Sequence, residues 1–207
     1  IAHFTYLHRE ELTYSKLSGS TVLHLQELSA ERKRFVAQQA EYKALLTDSK
    51  ERPQTSTLLR AKSMVDILEE DIKSVEEEMA ALVNEDPAIA KNYKLLIGIK
   101  GIGSVNAIST IIHTDNFEAF ETARQYACYL GVAPFDHTSG TSVRGATRVS
   151  HIGAKRLKAD LSQAAKSAVV WDKELKVYYE RKISQGKAFG VVLNAVKFKL
   201  ICRMFAV

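Results

Sequence analysis

From Leu58 to Leu82 apolar residues recur at alternating spacings of three and four: Leu58, Ala61, Val65, Leu68, Ile72, Val75, Met79 and Leu82, with no polar break. Such a repeat puts every apolar side chain on one stripe of a helix and winds neighbouring helices into a left-handed coiled coil. A less regular series precedes it: Leu25, Leu28, Arg32, Phe35, Gln39, Tyr42 and Leu46. The polar stretch Asp48-Ser49-Lys50-Glu51-Arg52-Pro53 lies between them. It predicts an antiparallel arm of two helices, each about 40 Å long over roughly 27 residues. Arg32 and Gln39 at seam positions weaken the arm and are expected to fix its register or partner. An amphipathic helix pair packed on a larger core is the alternative. The outer face of the second helix (Glu69, Glu70, Asp71, Glu76, Glu77, Glu78) is acidic. It repels DNA, so the arm is expected to bind protein, most simply a second copy of itself.

Charge divides the chain just beyond that arm. Residues 1–90 carry 11 Lys/Arg against 16 Asp/Glu, a balance of −5, whereas residues 91–207 carry 18 against 8, a balance of +10. A basic half of this kind favours a polyanion, most often nucleic acid. A membrane surface fits less well: no lipidation motif accompanies the charge, and no apolar run approaches the ~18 residues needed to span a bilayer. Inside the basic half, Leu95-Leu96-Ile97-Gly98-Ile99-Lys100-Gly101-Ile102-Gly103-Ser104-Val105 breaks an apolar run with three glycines ahead of Ser104, a good helix N-cap residue. Helix, tight glycine turn, helix is the natural reading. It would leave the N–H groups of Ile102 to Val105 free at a helix start, where a phosphate oxygen can bind. The words Gly98-Ile99-Lys100-Gly101-Ile102-Gly103 resemble the helix–hairpin–helix element of proteins that grip nucleic-acid backbones without reading bases.

The remaining chain also reads as helix. A first helix is expected over 1–17, with Ile1, Phe4, Leu7, Leu12 and Tyr14 apolar. Asp86-Pro87 is a strong helix start leading into the glycine turn. Further helices are expected over 104–112, from Thr122 to Gly131, from Gly153 with Leu157, Leu161, Ala164, Ala165, Ala168 and Val169 inward, over 173–183, and over 187–207. Residues 131–151 show neither helical nor strand periodicity and are expected to form a loop, long enough to be functional or mobile. The expected fold class is therefore all-α: a coiled-coil arm over 1–86, then a helical domain over 87–207 containing the helix–hairpin–helix element. Cys128 and Cys202 lack metal-ligand spacing and read as buried reduced thiols of a cytoplasmic protein. Position 1 is Ile and the last helix reaches the final residue, so a longer natural protein is expected.

Taken together, several words in order resemble the C-terminal part of an insertion-sequence transposase of the IS110 (IS116/IS110/IS902) family. They are the glycine turn at 98–103, Phe120 with Ala123-Arg124-Gln125, and Tyr129-Leu130-Gly131-Val132-Ala133-Pro134. Ser139-Gly140, Gly145 with Arg148-Val149-Ser150, Gly153 with Arg156-Leu157-Lys158, Tyr178-Tyr179 and Gly186-Lys187 follow. Lys100 departs from the family's usual proline, and His151-Ile152 replaces a basic pair. The resemblance covers 95–200 well and 1–90 weakly. It implies a DNA recombinase whose preceding nuclease-like domain, absent from this sequence, holds a divalent metal such as Mg through four acidic residues. None of Glu10, Glu11 or Asp48 is drafted in their place, so no metal ligands are assigned in this chain. It also implies a guide RNA as partner and a bacterial cytoplasmic, nucleoid location.

By the same resemblance Ser139 is the nucleophile that attacks a DNA phosphodiester. A serine hydroxyl needs its proton removed and the developing charge stabilised. The implied metal would assist the attack or the leaving oxygen. Asp136 and His137 lie nearby in sequence, His137 reading better as a solvent-facing loop histidine than as a base. Arg144, Arg148, Lys155, Arg156 and Lys158 form a basic run without an acidic residue, the pattern of phosphate contact. With Lys100, Gly101, Ile102, Gly103 and Ser104 they make up the expected nucleic-acid-binding set. Tyr178 and Tyr179 read as core and surface-edge aromatics. The competing function is a non-catalytic DNA-binding module with a coiled-coil dimerisation arm. A purely structural coiled-coil adaptor leaves the +10 half unexplained.

Overall fold

A computed structural model of the chain describes residues 2–11, 17–49, 55–139, 143–149 and 153–207, with the backbone alone at 2, 136–139 and 143–148. These residues are mostly helical, with one two-stranded sheet. Helix α1 (Ala2–Leu7) is much shorter than the expected 1–17. Arg9 donates from Nη1 to the Tyr6 carbonyl at 3.0 Å, closing its end with a side chain. Leu12 and Tyr14 lie outside the described residues.

Helices α2 (Ser20–Asp48) and α3 (Ser56–Glu85) pack along one another. Thr55 caps α3, its hydroxyl accepting from the Leu58 amide. The sheltered residues include the alternating series: Leu25 and Leu28 are buried and Arg32, Phe35, Gln39, Tyr42 and Leu46 half-buried, facing buried Ala61, Val65, Leu68, Val75 and Met79. Arg32 meets Glu76 across the pair at 2.7 Å, and Gln39 reaches the Val65 carbonyl at 3.4 Å. Most of the linker, residues 50–54, lies outside the described residues. At the base of the pair Val22, Leu25, Leu28, Val75, Met79 and Val83 join one core cluster with Ile89, Leu96 and Ile108, so apolar packing runs without a break past residue 86.

Helix α4 (Pro87–Ile97) starts as expected: the Asp86 carboxylate accepts from the Ala88 and Ile89 amides, with proline in the first turn. Helix α5 (Ser104–Thr114) follows the glycine turn, whose geometry corrects two expectations. The N-cap residue is Gly103, with Ser104 the first helical residue. The Ile102 amide is not free: it donates to the Ile99 carbonyl at 3.0 Å, and its side chain is buried. Gly101 has φ +95°, and a Cβ there would lie 2.7 Å from both the Ala164 carbonyl oxygen and the Ala168 Cβ. Only glycine allows this turn to seat on its neighbour.

That neighbour is α7 (Lys155–Trp171), reached through α6 (Ala123–Tyr129) and a β-hairpin. Thr122 and Gln125 form a reciprocal capping box at the start of α6. Helix α7 buries Leu157, Leu161, Ala164, Ala165 and Ala168 as expected, and packs against α8 (Lys173–Ser184) and α9 (Phe189–Ala206). Asp172 caps α8 and meets Arg203 at 2.7 Å. Burial pushes its carboxyl up, but the Leu175 amide and Arg203 outweigh that and hold it below the usual range. Cys128 is half-buried and Cys202 exposed, so the expectation of two buried thiols fails for Cys202.

The expected loop at 131–151 is instead largely an antiparallel hairpin, β1 (Pro134–Ser139) and β2 (Val143–Val149). Strand-forming Phe135, Thr138, Val143, Thr147 and Val149 are present. They are spaced by Gly145 and by a register shift between Phe135 and His137, which breaks the alternation by which strands are recognised.

Three outcomes follow from this packing. Gly101→Ala should cost about 2 kcal/mol or more in urea unfolding, since it combines positive φ with a closed contact. Gly103→Ala, with open space and negative φ, should cost under about 1 kcal/mol. His113, half-buried near the end of α5, has its pKa lowered by burial and then by the charge of Lys33. An unfolded imidazole (about 6.5) therefore takes its proton before the folded one does. Its contribution to stability is full above that pH and is lost as pH falls through the lower folded value. His113→Gln should flatten this acid limb in denaturant midpoints measured from neutral pH downward.

Candidate nucleic-acid interface

The hairpin leaves the helical body through a tightly closed neck. Gly131, at φ +65°, turns the chain after α6, and Val132 and Ala133 donate back to the Ala127 carbonyl. The chain returns at Gly153, where a Cβ would lie 2.9 Å from the Gly131 nitrogen. Two bonds fasten the two sides, Ala154 N to the Tyr129 carbonyl at 3.3 Å and Lys158 Nζ to the Gly131 carbonyl at 2.6 Å, and Asn194 Nδ2 of α9 holds the outgoing side through the Val132 carbonyl at 2.8 Å. Asn194 was not singled out from the sequence, which carries no signal for this tie.

Beyond the neck, Pro134 pairs with Val149, Phe135 with Arg148, His137 with Gly145, Thr138 with Arg144 and Ser139 with Val143. Ser139 is the last residue of β1, about 16 Å from Pro134 at 3.3 Å per residue. The register puts Arg144 next to the Ser139 pair and Arg148 near the neck. The side chains of Asp136, His137, Ser139, Arg144 and Arg148 are outside the description. So are Gly140 of the Ser-Gly word, Ser150, and the His151-Ile152 departure.

At the base of the hairpin, Lys155 and Arg156 stand exposed on the first turn of α7, and among the described residues neither has an acidic partner. That turn contains no acidic residue, and no side chain caps it. A helix N-terminus already carries partial positive charge, so Lys155, Arg156 and Lys158 all oppose the helix dipole. An anion would relieve that opposition. Lys158 differs from the other two: it is half-buried and donates to Gly131, at the C-terminal end of α6, where a cation is favoured.

The glycine turn lies elsewhere along α7. Lys100, Gly103 and Ser104 are exposed, whereas Gly101 is pressed onto Ala164 and Ala168 and Ile102 is buried. Ala164 and Ala168 follow Arg156 by eight and twelve residues, about 12–18 Å along the helix axis. The turn and the start of α7 therefore cannot share one phosphate. Arg32 and Lys33 of α2, which the sequence offered no reason to place here, line a cleft of about 80 Å³ with Ser104, Val105 and Tyr93. Tyr178 and Tyr179 are half-buried; the ammonium of Lys199 sits 4.7 Å over the Tyr178 ring. Among the described residues no group of three or more His, Cys, Asp or Glu converges to hold a metal, so the divalent metal implied by resemblance has no fitting site there. Nor is any helix among them long and apolar enough to cross a membrane.

The sequence model of the IS116/IS110/IS902 transposase family matches residues 93–180, from α4 through the turn and hairpin into α8. Over that stretch the chain is similar to the IS116/IS110/IS902 transposase family. It is 27% identical over 146 residues to the insertion element IS110 uncharacterized 43.6 kDa protein of Streptomyces coelicolor, covering 69% of this chain and 36% of that one. It is 25% identical over 140 residues to the pilin gene-inverting protein of Moraxella bovis, 67% of this chain and 43% of that one. A probable family 20 transposase of Pseudomonas aeruginosa is 28% identical over 117 residues, covering 56% of this chain and 33% of its own length. The chain thus spans less than half the length of each of these relatives.

The division among the basic residues is testable on stability alone. Lys158→Ala leaves the Gly131 carbonyl without its donor and should cost about 1–2 kcal/mol. Arg156→Ala, exposed and with no acidic partner among the described residues, should change stability by less than about 0.5 kcal/mol. Paired urea titrations read both.

Proposed function

We propose that this chain is the DNA-binding and strand-joining portion of an IS110-type recombinase, with Ser139 as nucleophile. The observation that carries the DNA reading is the wholly basic, uncapped first turn of α7 at the foot of the hairpin, which bears Ser139 on its backbone. The family match, and a relative named for inverting a gene, support strand exchange as the outcome. In the proposed step the Ser139 Oγ gives up its proton and attacks the phosphorus of a DNA phosphodiester. A serine–DNA phosphodiester forms, and the bond to one sugar oxygen breaks, releasing a strand end with a free hydroxyl. Attack by another strand's hydroxyl reverses these changes on the new partner and returns the proton to serine. Arg144, Arg148, Lys155 and Arg156 hold phosphates; Lys100, Gly103 and Ser104 hold others farther along the backbone. Gly101 and Ile102 serve that surface by shaping the turn.

The α2–α3 pair is proposed as a coiled-coil arm joining copies of the protein. Leu45, Leu59 and Ile67 lie outside its seam and are 41–52% exposed, leaving apolar surface for a second copy. A guide RNA from the element is proposed on family resemblance alone.

The chain should bind duplex DNA without sequence preference and with log affinity falling steeply with log salt, as phosphate contacts require. Equal binding at low and high salt would contradict this. In the full-length protein, Ser139→Ala should abolish strand exchange and the covalent serine–DNA product while leaving DNA affinity nearly unchanged. Persisting recombination would remove Ser139 from catalysis and favour the non-catalytic DNA-binding module.

A further inference from the structure

Among the described residues one charged side chain is buried, and it is a lysine in the middle of the last helix. Lys197 on α9 is 7% exposed, flanked by buried Val196, Leu200 and Ile201. No hydrogen bond or ion pair holds its ammonium among the described residues. Burial lowers its pKa, and the charges of Lys158 and Lys166 on α7 lower it further, so the charges acting on it are positive. The core covers the stem: among the described residues no buried side-chain nitrogen lacks a partner, so the unbonded ammonium meets solvent, with like charges beside it.

The surroundings of Lys197 form a continuous feature. Lys155, Lys158, Ser162 and Lys166 succeed one another on α7 at spacings of three, four and four, which aligns them along one side of the helix for about 16 Å. Helix α9 packs against α7, and Asn194, three residues before Lys197, holds the Val132 carbonyl at the neck. A basic seam therefore runs from the foot of the hairpin along the α7–α9 junction. The start of α7 lies at one end of the seam, and Lys197 is sunk into its course. Lysine suits such a place: its ammonium turns three donors on a flexible stem toward whatever anion lies in the seam.

We propose that the α7–α9 seam binds successive phosphates of the DNA strand entering or leaving the Ser139 hairpin, with Lys197 as its innermost contact and Lys158 and Lys166 beside it. This rests on the DNA-binding reading above and adds Lys166 and Lys197, which lie outside the basic run at 144–158. A lysine that merely packs its stem and holds its ammonium at the nearest water is the competing account. The two differ in what removal of the charge does.

Lys197→Met keeps the stem's bulk and removes the ammonium, and Lys166→Ala alters only an exposed position. Each should weaken duplex DNA binding several-fold and make the slope of log affinity against log salt shallower by about one. Without DNA, Lys197→Met should melt no lower than the parent chain, showing that the fold survives. Inorganic pyrophosphate should raise the melting temperature of the parent more than that of Lys197→Met. Unchanged affinity and slope in both variants, in a chain that still binds DNA, would overturn the seam and leave the DNA reading standing. A chain that binds no DNA, yet shows a Lys197-dependent pyrophosphate shift, would overturn DNA as the ligand. Losses for single-stranded RNA but not for duplex DNA would do the same.

Discussion

The close approach of Gly101 to α7 is the contact on which the remaining arrangement depends. It joins the turn between α4 and α5 to Ala164 and Ala168 at a separation no side chain would permit. Small residues on both sides make it possible: glycine in the turn and alanine at 164, 165 and 168 on the buried face of α7. Once α5 and α7 are locked together, the first turn of α7 and the end of α6 meet at Gly131 and Gly153, and the hairpin has one place to emerge. The same contact turns Gly101 and Ile102 inward, so the exposed part of the turn is limited to Lys100, Gly103 and Ser104.

Electrostatics divides the molecule in the opposite sense from packing. The core crosses freely from the α2–α3 pair into the helices beyond, but charge does not. On the arm, bases meet acids in pairs, with Arg32 on Glu76 and Lys73 near Glu77, and a surplus of acid remains. At the start of α7, Lys155, Arg156 and Lys158 stand together without carboxylate partners among the described residues, at a helix end whose dipole repels them. Folding alone does not favour this arrangement, and a polyanionic partner does. Where the fold needs a cation it places one differently: Arg203 sits between Asp172 and Glu174 at 2.7 and 2.6 Å.

Much of the helical layout was legible because helices advertise themselves locally. Asp86-Pro87, the apolar stripe of α7 and the alternating series of α2 and α3 each depend on spacing within one segment, and each lies where that spacing put it. Three features were not legible, for one physical reason: they are set by residues distant in sequence. The hairpin takes its register from a bulge and an interrupted alternation that no single strand displays. Gly101 looked like an open phosphate cradle until Ala164 and Ala168 were found against it. Lys158 looked like its exposed neighbours, although the Gly131 carbonyl claims it. Lys197 carries a signal readable in the sequence. It falls on the inward stripe of α9 with Leu193, Val196, Leu200 and Met204, where a lysine is out of place.

Amide hydrogen exchange with and without duplex DNA bears most directly on whether α7, not the buried part of the glycine turn, carries the nucleic-acid contact. The amides of Gly101 and Ile102 should be unaltered by DNA, while those from 155 to 158 and around 166 slow when it binds. Slowing centred on Gly101 and Ile102, with the start of α7 unchanged, would contradict it.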